Sequence, residues 1–499
     1  MITWGISANS HDAALAVFDD DRLLFASHSE RFSGIKNDGH LDYKMIKYAI
    51  QLAGEPDLVC WYENPNWKFA RQVYAGQNVK ECWNDRNIKN YLASYGIHAP
   101  IKYSNHHEAH AAGAFYTSPF DSCAVLCIDS IGEWITTSIW TANKDKGLKQ
   151  IWKQVYPHSI GLWYSAMTQR IGLKPNEEEY ILMGMAAFGD PNKLYGRILE
   201  DFFEPGDWND DFRLKHNLHR GCKWWAPELT SEQDIFNIAA ATQAIYERKF
   251  GDLLLKTMVL TGANKIALAG GCALNCVAND LALEVFTNVW IYPNPGDAGS
   301  SVGTVLAYRK QKIDWEHCYW GYDIPGHYPI KETLEVLLKG LPVGVANGQA
   351  EFGPRALGNR SLLADPRSNT IKDKVNEIKR RQKFRPFAPA ILEEHAKDYF
   401  QLNGHTSRFM QYAVPCLRSN EFPAIIHVDH TSRVQTVPDN GTGFRKLLEA
   451  WYEETGCPML LNTSLNIKGK PMVNDSLDAE AFRKHYNVPV LTHANTLKR

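Results

Sequence analysis

The chain of 499 residues carries 54 Lys and Arg against 56 Asp and Glu, a net charge of −2, so no overall basic field draws it to nucleic acid. Its 44% hydrophobic and 12% aromatic residues exclude extensive disorder, and its length exceeds what one hydrophobic core serves, so two or more domains are expected. Residues 1–20 lack the pattern of a signal peptide, no apolar run approaches a membrane span, and the cysteines show no paired zinc spacing; a soluble cytoplasmic protein with free thiols is expected.

The opening ITWGISANSHDAALAVFDDDRLLFASHSE reads as three strands, with His11 and Asp12 in a polar loop between the first two and a turn at 19–21 before the third. ERFSGIKND then sets Arg31, Lys36 and Asp38 on a polar segment ahead of a helix over 42–52. In SNHHEAHAAGAF, helical residues four apart share a face, so His106 and His110 can hold one metal ion while His107 points elsewhere and Glu108 lies off that face. From Ser122 the run CAVLCIDSIGEWITTSIWTA repeats the strand, acidic turn, strand pattern, an echo that suggests two related lobes. Asp129 in that turn and Asp297 in PNPGDAGSSVG add carboxylates; two imidazoles and two carboxylates suit iron, manganese or zinc.

The stretch 207–225, with FRLKHNLHRGCKWW, interleaves cations and rings. It reads either as a surface for single-stranded nucleic acid or a flipped base, or as a surface hairpin whose tryptophans pack on the core. A helix is expected over 238–257 and a buried strand over 266–269. Gly270 and Gly271 follow, then a helix from near Ala273 carrying Asn275 and Asn279. A glycine pair at such a junction lets backbone approach a nucleotide, and the two amides can serve a ribose or base. The segment 315–330 breaks periodicity and precedes a helix over 331–339, so it is taken as the linker. Beyond it, Arg355, Arg360, Arg367, Lys379 and Arg385 lie among glycines and prolines, which predicts an anion pocket built from guanidinium forks.

Together HDAALAVFDDDRLLFASHSERFSGIKND, NHHEAHAAGAF, IDSIGEW, GLWYSAMTQRIGLKPNEEEYILMGMAAFG, GGCALN, PGDAGSSVG, EFGPRALGNRSLLADPR, KFRPFAP, HVDHTSRVQTV and LLNTSLNIKGKP resemble, in order, the NodU/CmcH family of O-carbamoyltransferases. The resemblance implies an α/β and α+β protein. Residues 1–320 would form a Kae1-like carbamoyl-transfer domain of the actin/hexokinase/Hsp70 (ASKHA) ATPase fold, and 331–499 a YrdC-like domain that forms carbamoyl-adenylate. It also implies carbamoyl phosphate and ATP, with its Mg²⁺, as substrates, and a two-step transfer to an acceptor hydroxyl. Arg355, Lys379, Arg385, Arg433 and Ser464 would gather around carbamoyl phosphate and the ATP phosphates, with Asn462 and Ser464 on the neutral carbamoyl end. His106, His110, Asp129 and Asp297 would hold the metal, Fe(II) by similarity, with Gly270, Gly271 and Asn275 on the adenosine side and Lys36 as a partner of the adenylate. His11 or Asp12 is the candidate general base.

The chain departs from the family pattern at Ile181, which follows Glu179 and Tyr180 where a basic residue is common, at GMAAFG in place of GLAPYG, and at Ser27–Ser29 before Glu30. These lie where the acceptor should bind. The chain is short for the family, as are phage-type members, so 5-hydroxymethylcytosine in DNA is the expected acceptor, with a sugar or antibiotic hydroxyl as the alternative. Threonylcarbamoyl-type tRNA modification and a sugar kinase of the same ATPase fold are the more distant readings. No membrane partner is expected.

Overall fold

The computed structural model describes residues 1–382, 385 and 387–493; Lys383, Phe384 and Pro386 of KFRPFAP lie outside the described residues. The architecture is mixed α/β with several sheets, in two compact units: Met1–Ser29 with Gly39–Glu316, and Glu30–Asp38 with His317–Arg499. Among the described residues no helix is long and apolar enough to cross a membrane. All ten cysteines are free thiols.

In the first unit, β1 (Ile2–Ser7), β2 (Ala14–Asp19), β3 (Arg22–His28), β4 (Leu58–Trp61) and β5 (Ile101–Tyr103) form a sheet in the order β3-β2-β1-β4-β5. Then β6 (Ser122–Ile128), β7 (Ile135–Asn143), β8 (Gly147–Val155), β9 (Lys265–Ala269) and β10 (Asn288–Ile291) form another, in the order β10-β9-β6-β7-β8. Each sheet is an antiparallel three-strand meander extended by two strands parallel to its first. The two sheets share order and sense, so the echo in the sequence is a duplicated topology. Along β2 and β6 consecutive residues are buried; since neighbours point to opposite faces, both faces of each sheet are covered there.

The helix His106–Tyr116 packs backbone to backbone against the helix Ser300–Arg309, because a Cβ on Gly303 would fall 2.0 Å from the Ala109 carbonyl oxygen. That approach fixes His110 relative to the turn Asp297–Gly299 that opens the second helix. The expected helix over 238–257 is the inner part of Glu232–Thr261, capped by Ser231, whose side chain accepts from the Asp234 N–H, and closed by Gly262 at φ 63°. The expected helix at Ala273 is instead a single 3₁₀ turn, Gly271–Leu274, followed by Ala278–Asp280 and the short helix Leu281–Val285. In the stretch 207–225, Trp225 is buried with its Nε1 donating to Asp201 at 2.7 Å, while Trp208 and Trp224 stay 42% and 55% exposed. Trp225 thus packs as the hairpin reading expects, while the other two rings face solvent.

The second unit contains β11 (Tyr319–Ile324), β12 (Val343–Ala346), β13 (Gly348–Glu351), β14 (Arg360–Ala364), β15 (Ala388–Leu392), β16 (Ala413–Pro415), β17 (Thr431–Arg433), β18 (Gln435–Val437), β19 (Met459–Ser464) and β20 (Val490–Leu491). Six of them form a sheet ordered β18-β15-β19-β14-β12-β20. Its apolar face, with Val345, Leu363, Ala390 and Leu460, closes on Phe444, Leu448 and Trp451 of the helix Gly443–Thr455. Glu30–Asp38 belongs here because Arg31 is buried and its Nη2 donates to the Gly353 carbonyl at 3.1 Å, beside a Phe32–Tyr322 edge contact.

Two of the five cations assigned to an anion pocket are structural. Arg360 is fully buried and donates to the carbonyls of Tyr322, Asn347, Gly348, Asn359 and Asn474 at 2.8–3.2 Å, which uses up its fork. Burial pulls its pKa down to about 10 against the pull of Glu351. Arg367 is forked onto Asp365 at 2.8 and 2.9 Å, on the surface. Arg360→Met is therefore expected to destabilise the protein by roughly 3 kcal/mol or more, since it strands several buried carbonyls. Urea unfolding read by tryptophan fluorescence checks this.

Candidate functional site

Asp129 directly follows β6 and Asp297 follows β10, so both carboxylates sit at strand ends of one sheet, facing the first turns of the helix His106–Tyr116. The four side chains converge: one ligand atom from each of His106, His110, Asp129 and Asp297 lies within 4.8 Å of all the others, and all four residues are buried. His106 Nε2 is 3.1 Å from His110 Nε2, 3.1 Å from Asp129 Oδ2 and 3.5 Å from Asp297 Oδ1. His110 Nε2 is 3.4 Å from Asp297 Oδ1. Separations of this size suit donors each about 2 Å from a common ion, and the cluster can coordinate a divalent metal. His110 Nδ1 lies 3.4 Å from Ser300 Oγ, which leaves Nε2 as the donor nitrogen when Nδ1 carries the proton. His107 points away, its Nδ1 2.8 Å from Ser138 Oγ.

The electrostatics are those of a site built for a cation. Burial works against a charge on His106, but Asp297 and Asp129 outweigh it and raise its pKa to about 9. Burial likewise pulls His107 well down, helped by His106 and His110. Burial would push Asp129 up, yet the hydrogen bond from His106 and the charge of His110 hold it low. A group with a raised folded pKa stabilises the metal-free protein below the ordinary histidine value and loses that contribution as pH rises through about 9. Metal binding at neutral pH is accordingly expected to expel about one proton per ion from His106 and to tighten as pH rises. Calorimetry in two buffers of different ionisation enthalpy measures the proton count.

His11 and Asp12 hang over this cluster from the β1–β2 loop. His11 Nδ1 is 3.2 Å from Asp12 Oδ2 and its Nε2 3.9 Å from Asp297 Oδ2, with the side chain 46% exposed. Desolvation opposes its charge, but Asp12, Asp297 and Asp129 raise its pKa to about 10. On the opposite side Gly271 N–H donates to Asp129 Oδ1 at 3.3 Å, and Gly270 takes φ 87° where a Cβ would fall 2.1 Å from the Ile128 carbonyl. Asn275 is paired amide to amide with Gln243 at 3.0 and 3.1 Å, and buried Asn279 donates to the Ala273 carbonyl, so neither projects a free amide from a helix face. Lys36 is exposed and belongs to Glu30–Asp38, in the second unit.

In the second unit Glu351 is buried and its Oε1 accepts from the N–H groups of Leu357, Asn359 and Arg360, curling the arc that carries half-buried Arg355. Lys379 is buried; its Nζ donates to the Ser464 carbonyl at 2.6 Å, to the Asn466 carbonyl at 3.0 Å and to Asn466 Oδ1. It is thus neither a solvated lysine nor a free phosphate hook: its donors are spent on the loop after β19, and its charge acts through that loop. Burial, then Arg381 and Arg385, push its pKa well down. A nearby anion favours the charged forms of such crowded cations. Arg433 is half-buried on β17 with a buried Nε that has no hydrogen-bond partner among the described residues. Asn462 and Ser464 both lie on β19.

Sequence reasoning passed over three supporting side chains. Glu133 accepts from the His106 and Asn64 N–H groups; Ser300 faces His110; and Gln435 donates to the Leu357 carbonyl at 3.1 Å and accepts from Asn462 at 2.8 Å. Glu133 and Ser300 stand inside motifs that were in view, IDSIGEW and PGDAGSSVG, but only their fold partners show what they hold.

The family model described as "Carbamoyltransferase N-terminus" matches residues 72–306, and that described as "Carbamoyltransferase C-terminus" matches 334–499. An uncharacterized protein of Synechocystis sp. is 33% identical to this chain, over 95% of it and 93% of the relative. Nodulation protein NolNO of Sinorhizobium fredii is 30% identical over 94% of this chain and 76% of its own. The 3'-hydroxymethylcephem-O-carbamoyltransferase of Amycolatopsis lactamdurans is 28% identical over 94% of both.

Proposed function

The chain belongs to the carbamoyltransferase family, and from that premise we propose that it activates carbamoyl phosphate with ATP in the second, YrdC-like unit and passes the carbamoyl group to an acceptor hydroxyl in the first, Kae1-like unit. The observation that carries the reading is the buried cluster of His106, His110, Asp129 and Asp297 at the strand ends of the first unit. Atoms balance as follows. Water releases phosphate from carbamoyl phosphate and leaves carbamate, whose oxygen attacks the α-phosphorus of ATP as pyrophosphate departs. An acceptor hydroxyl then attacks the carbamoyl carbon, and AMP leaves.

Arg355, Arg385 and Arg433 would offset the repulsion between the two polyanions and hold them in line, while Lys379 keeps the Ser464 loop in place. A divalent ion held by the cluster, Fe(II) by resemblance, supplies Lewis acidity and a fixed positive charge when bound. In its neutral form His11, oriented by Asp12, would accept the acceptor's hydroxyl proton. Gly270 and Gly271, whose N–H groups go to the Pro295 carbonyl and to Asp129 Oδ1, are proposed to let the adenylate approach beside Asp129 because they carry no side chains. Lys36, which folds with the second unit, is proposed as a partner of the adenylate where that unit forms it.

The proposed acceptor is 5-hydroxymethylcytosine in DNA, supported by the exposed Trp208 and Trp224 among Arg213, Lys215 and Lys223. A small-molecule hydroxymethyl acceptor is the second reading, favoured by the name of the Amycolatopsis relative. Labelled carbamoyl phosphate, Mg-ATP and hydroxymethylcytosine DNA should yield AMP, pyrophosphate and a nucleoside heavier by one carbamoyl group. Label on a hydroxymethyl small molecule alone would move the acceptor to the second reading, and ADP as the nucleotide product would replace the transferase reading with a kinase.

A further inference from the structure

We propose that Gln435 is a positioning residue that fixes the amide of Asn462 with its oxygen presented to an N–H donor, so that the second unit selects acyl phosphates bearing a carbamoyl NH₂ over those bearing a methyl group. The inference rests on the reading that this unit takes carbamoyl phosphate.

Gln435 Nε2 donates to the Leu357 carbonyl at 3.1 Å, an acceptor without alternative, so its Oε1 is the end turned to Asn462. Asn462 Nδ2 therefore faces Gln435 Oε1 at 2.8 Å, and its second proton goes to the Ala356 carbonyl at 3.0 Å. Both amide protons are spent, and the flip is determined by two backbone carbonyls rather than by choice. What is left is Asn462 Oδ1, an acceptor on a side chain only 1% exposed, with no partner among the described residues. A buried acceptor of this kind selects for a donor.

The sheet makes the reach possible. Ala390 on β15 stands opposite Gln435, and Ala388, two residues earlier on the same face, stands opposite Asn462. Two alanines on the intervening strand leave room for the side chains on either side to meet across it. The carbonyls held by the pair belong to Ala356 and Leu357, directly after Arg355, and Ser464 lies two residues beyond Asn462 on the same face of β19. The unfilled acceptor thus stands among the groups proposed to hold the phosphate, where the other end of a carbamoyl phosphate would lie. Carbamoyl phosphate and acetyl phosphate are near isosteres that differ in NH₂ against CH₃, and a site built around an N–H donor rejects the analogue that lacks it.

Initial rates of phosphate release from carbamoyl phosphate and acetyl phosphate, each split into KM and kcat, test this on the full chain. The wild type should prefer carbamoyl phosphate by about 100-fold in kcat/KM, the cost of leaving one buried acceptor unsatisfied. Gln435→Met, which keeps the volume but frees the Asn462 amide to turn, should bring the two substrates to within about threefold by raising the carbamoyl phosphate KM far more than the acetyl phosphate KM, with a lowered melting temperature because the Leu357 carbonyl and an Asn462 N–H each lose a partner. Gln435→Leu, which likewise removes the acceptor facing Asn462 Nδ2, is measured alongside, so that a folding failure of one variant leaves the other to decide. A preference retained in a folded variant, or a wild type that turns over both substrates equally, overturns the role of Gln435. A wild type that neither binds nor cleaves carbamoyl phosphate would instead remove the underlying reading.

Discussion

His110→Ala is expected to end carbamoyl transfer while sparing activation. His110 contributes one of four converging donors, its Nε2 3.1 Å from His106 Nε2 and 3.4 Å from Asp297. The remaining imidazole and two carboxylates hold an ion far less tightly. Losing an outer-shell partner alone costs about 10- to 100-fold in metal affinity, so losing a direct ligand should exceed about 100-fold. Metal content by elemental analysis should fall from one ion per chain to near zero, and transfer to any acceptor with it. Pyrophosphate release driven by carbamoyl phosphate should persist, because the groups proposed for that step lie in the other unit. Pyrophosphate release lost in parallel with transfer would contradict the division of labour.

Arg433→Met is expected to do the converse. The Arg433 Nε has no partner among the described residues, so its removal breaks no bond that Nε makes in the fold. Its worth lies in a charge-assisted contact to an anion, and removing one such donor typically lowers turnover by about 10²- to 10³-fold. Activation should fall by that factor with the melting temperature nearly unchanged. The contrast with Arg360 is the control: there the fork is spent on carbonyls and substitution costs stability first. Arg433→Lys should restore little, since an ammonium cannot reproduce a fork.

The cluster of two histidines and two aspartates was legible in the sequence because its logic is local. Four-residue spacing on a helix puts His106 and His110 on one face, and turn carboxylates after buried strands come out at sheet ends. The duplicated sheet was legible too, as a repeated strand, acidic turn, strand run. The arginines were not. Arg360, Arg367 and Arg433 look alike as residue types, and whether a guanidinium spends its fork on carbonyls, pairs with a neighbouring aspartate or keeps an Nε with no partner among the described residues depends on how the chain folds around it. Lys379 shows the same limit, since the carbonyls that hold it come from more than eighty positions downstream.

The sequence by itself determined the family, the two-lobed first half and the identity of the cluster's donors, because periodicity and fixed spacing are properties of short stretches of chain. Only the tertiary structure decided which cations are occupied, that Glu30–Asp38 folds with the second unit, and that Gln435 meets Asn462 across the alanines of β15. Apart from Arg367 with Asp365, each of those is a contact between residues well separated in the chain, and hydrogen-bond donors are shared out by proximity in space.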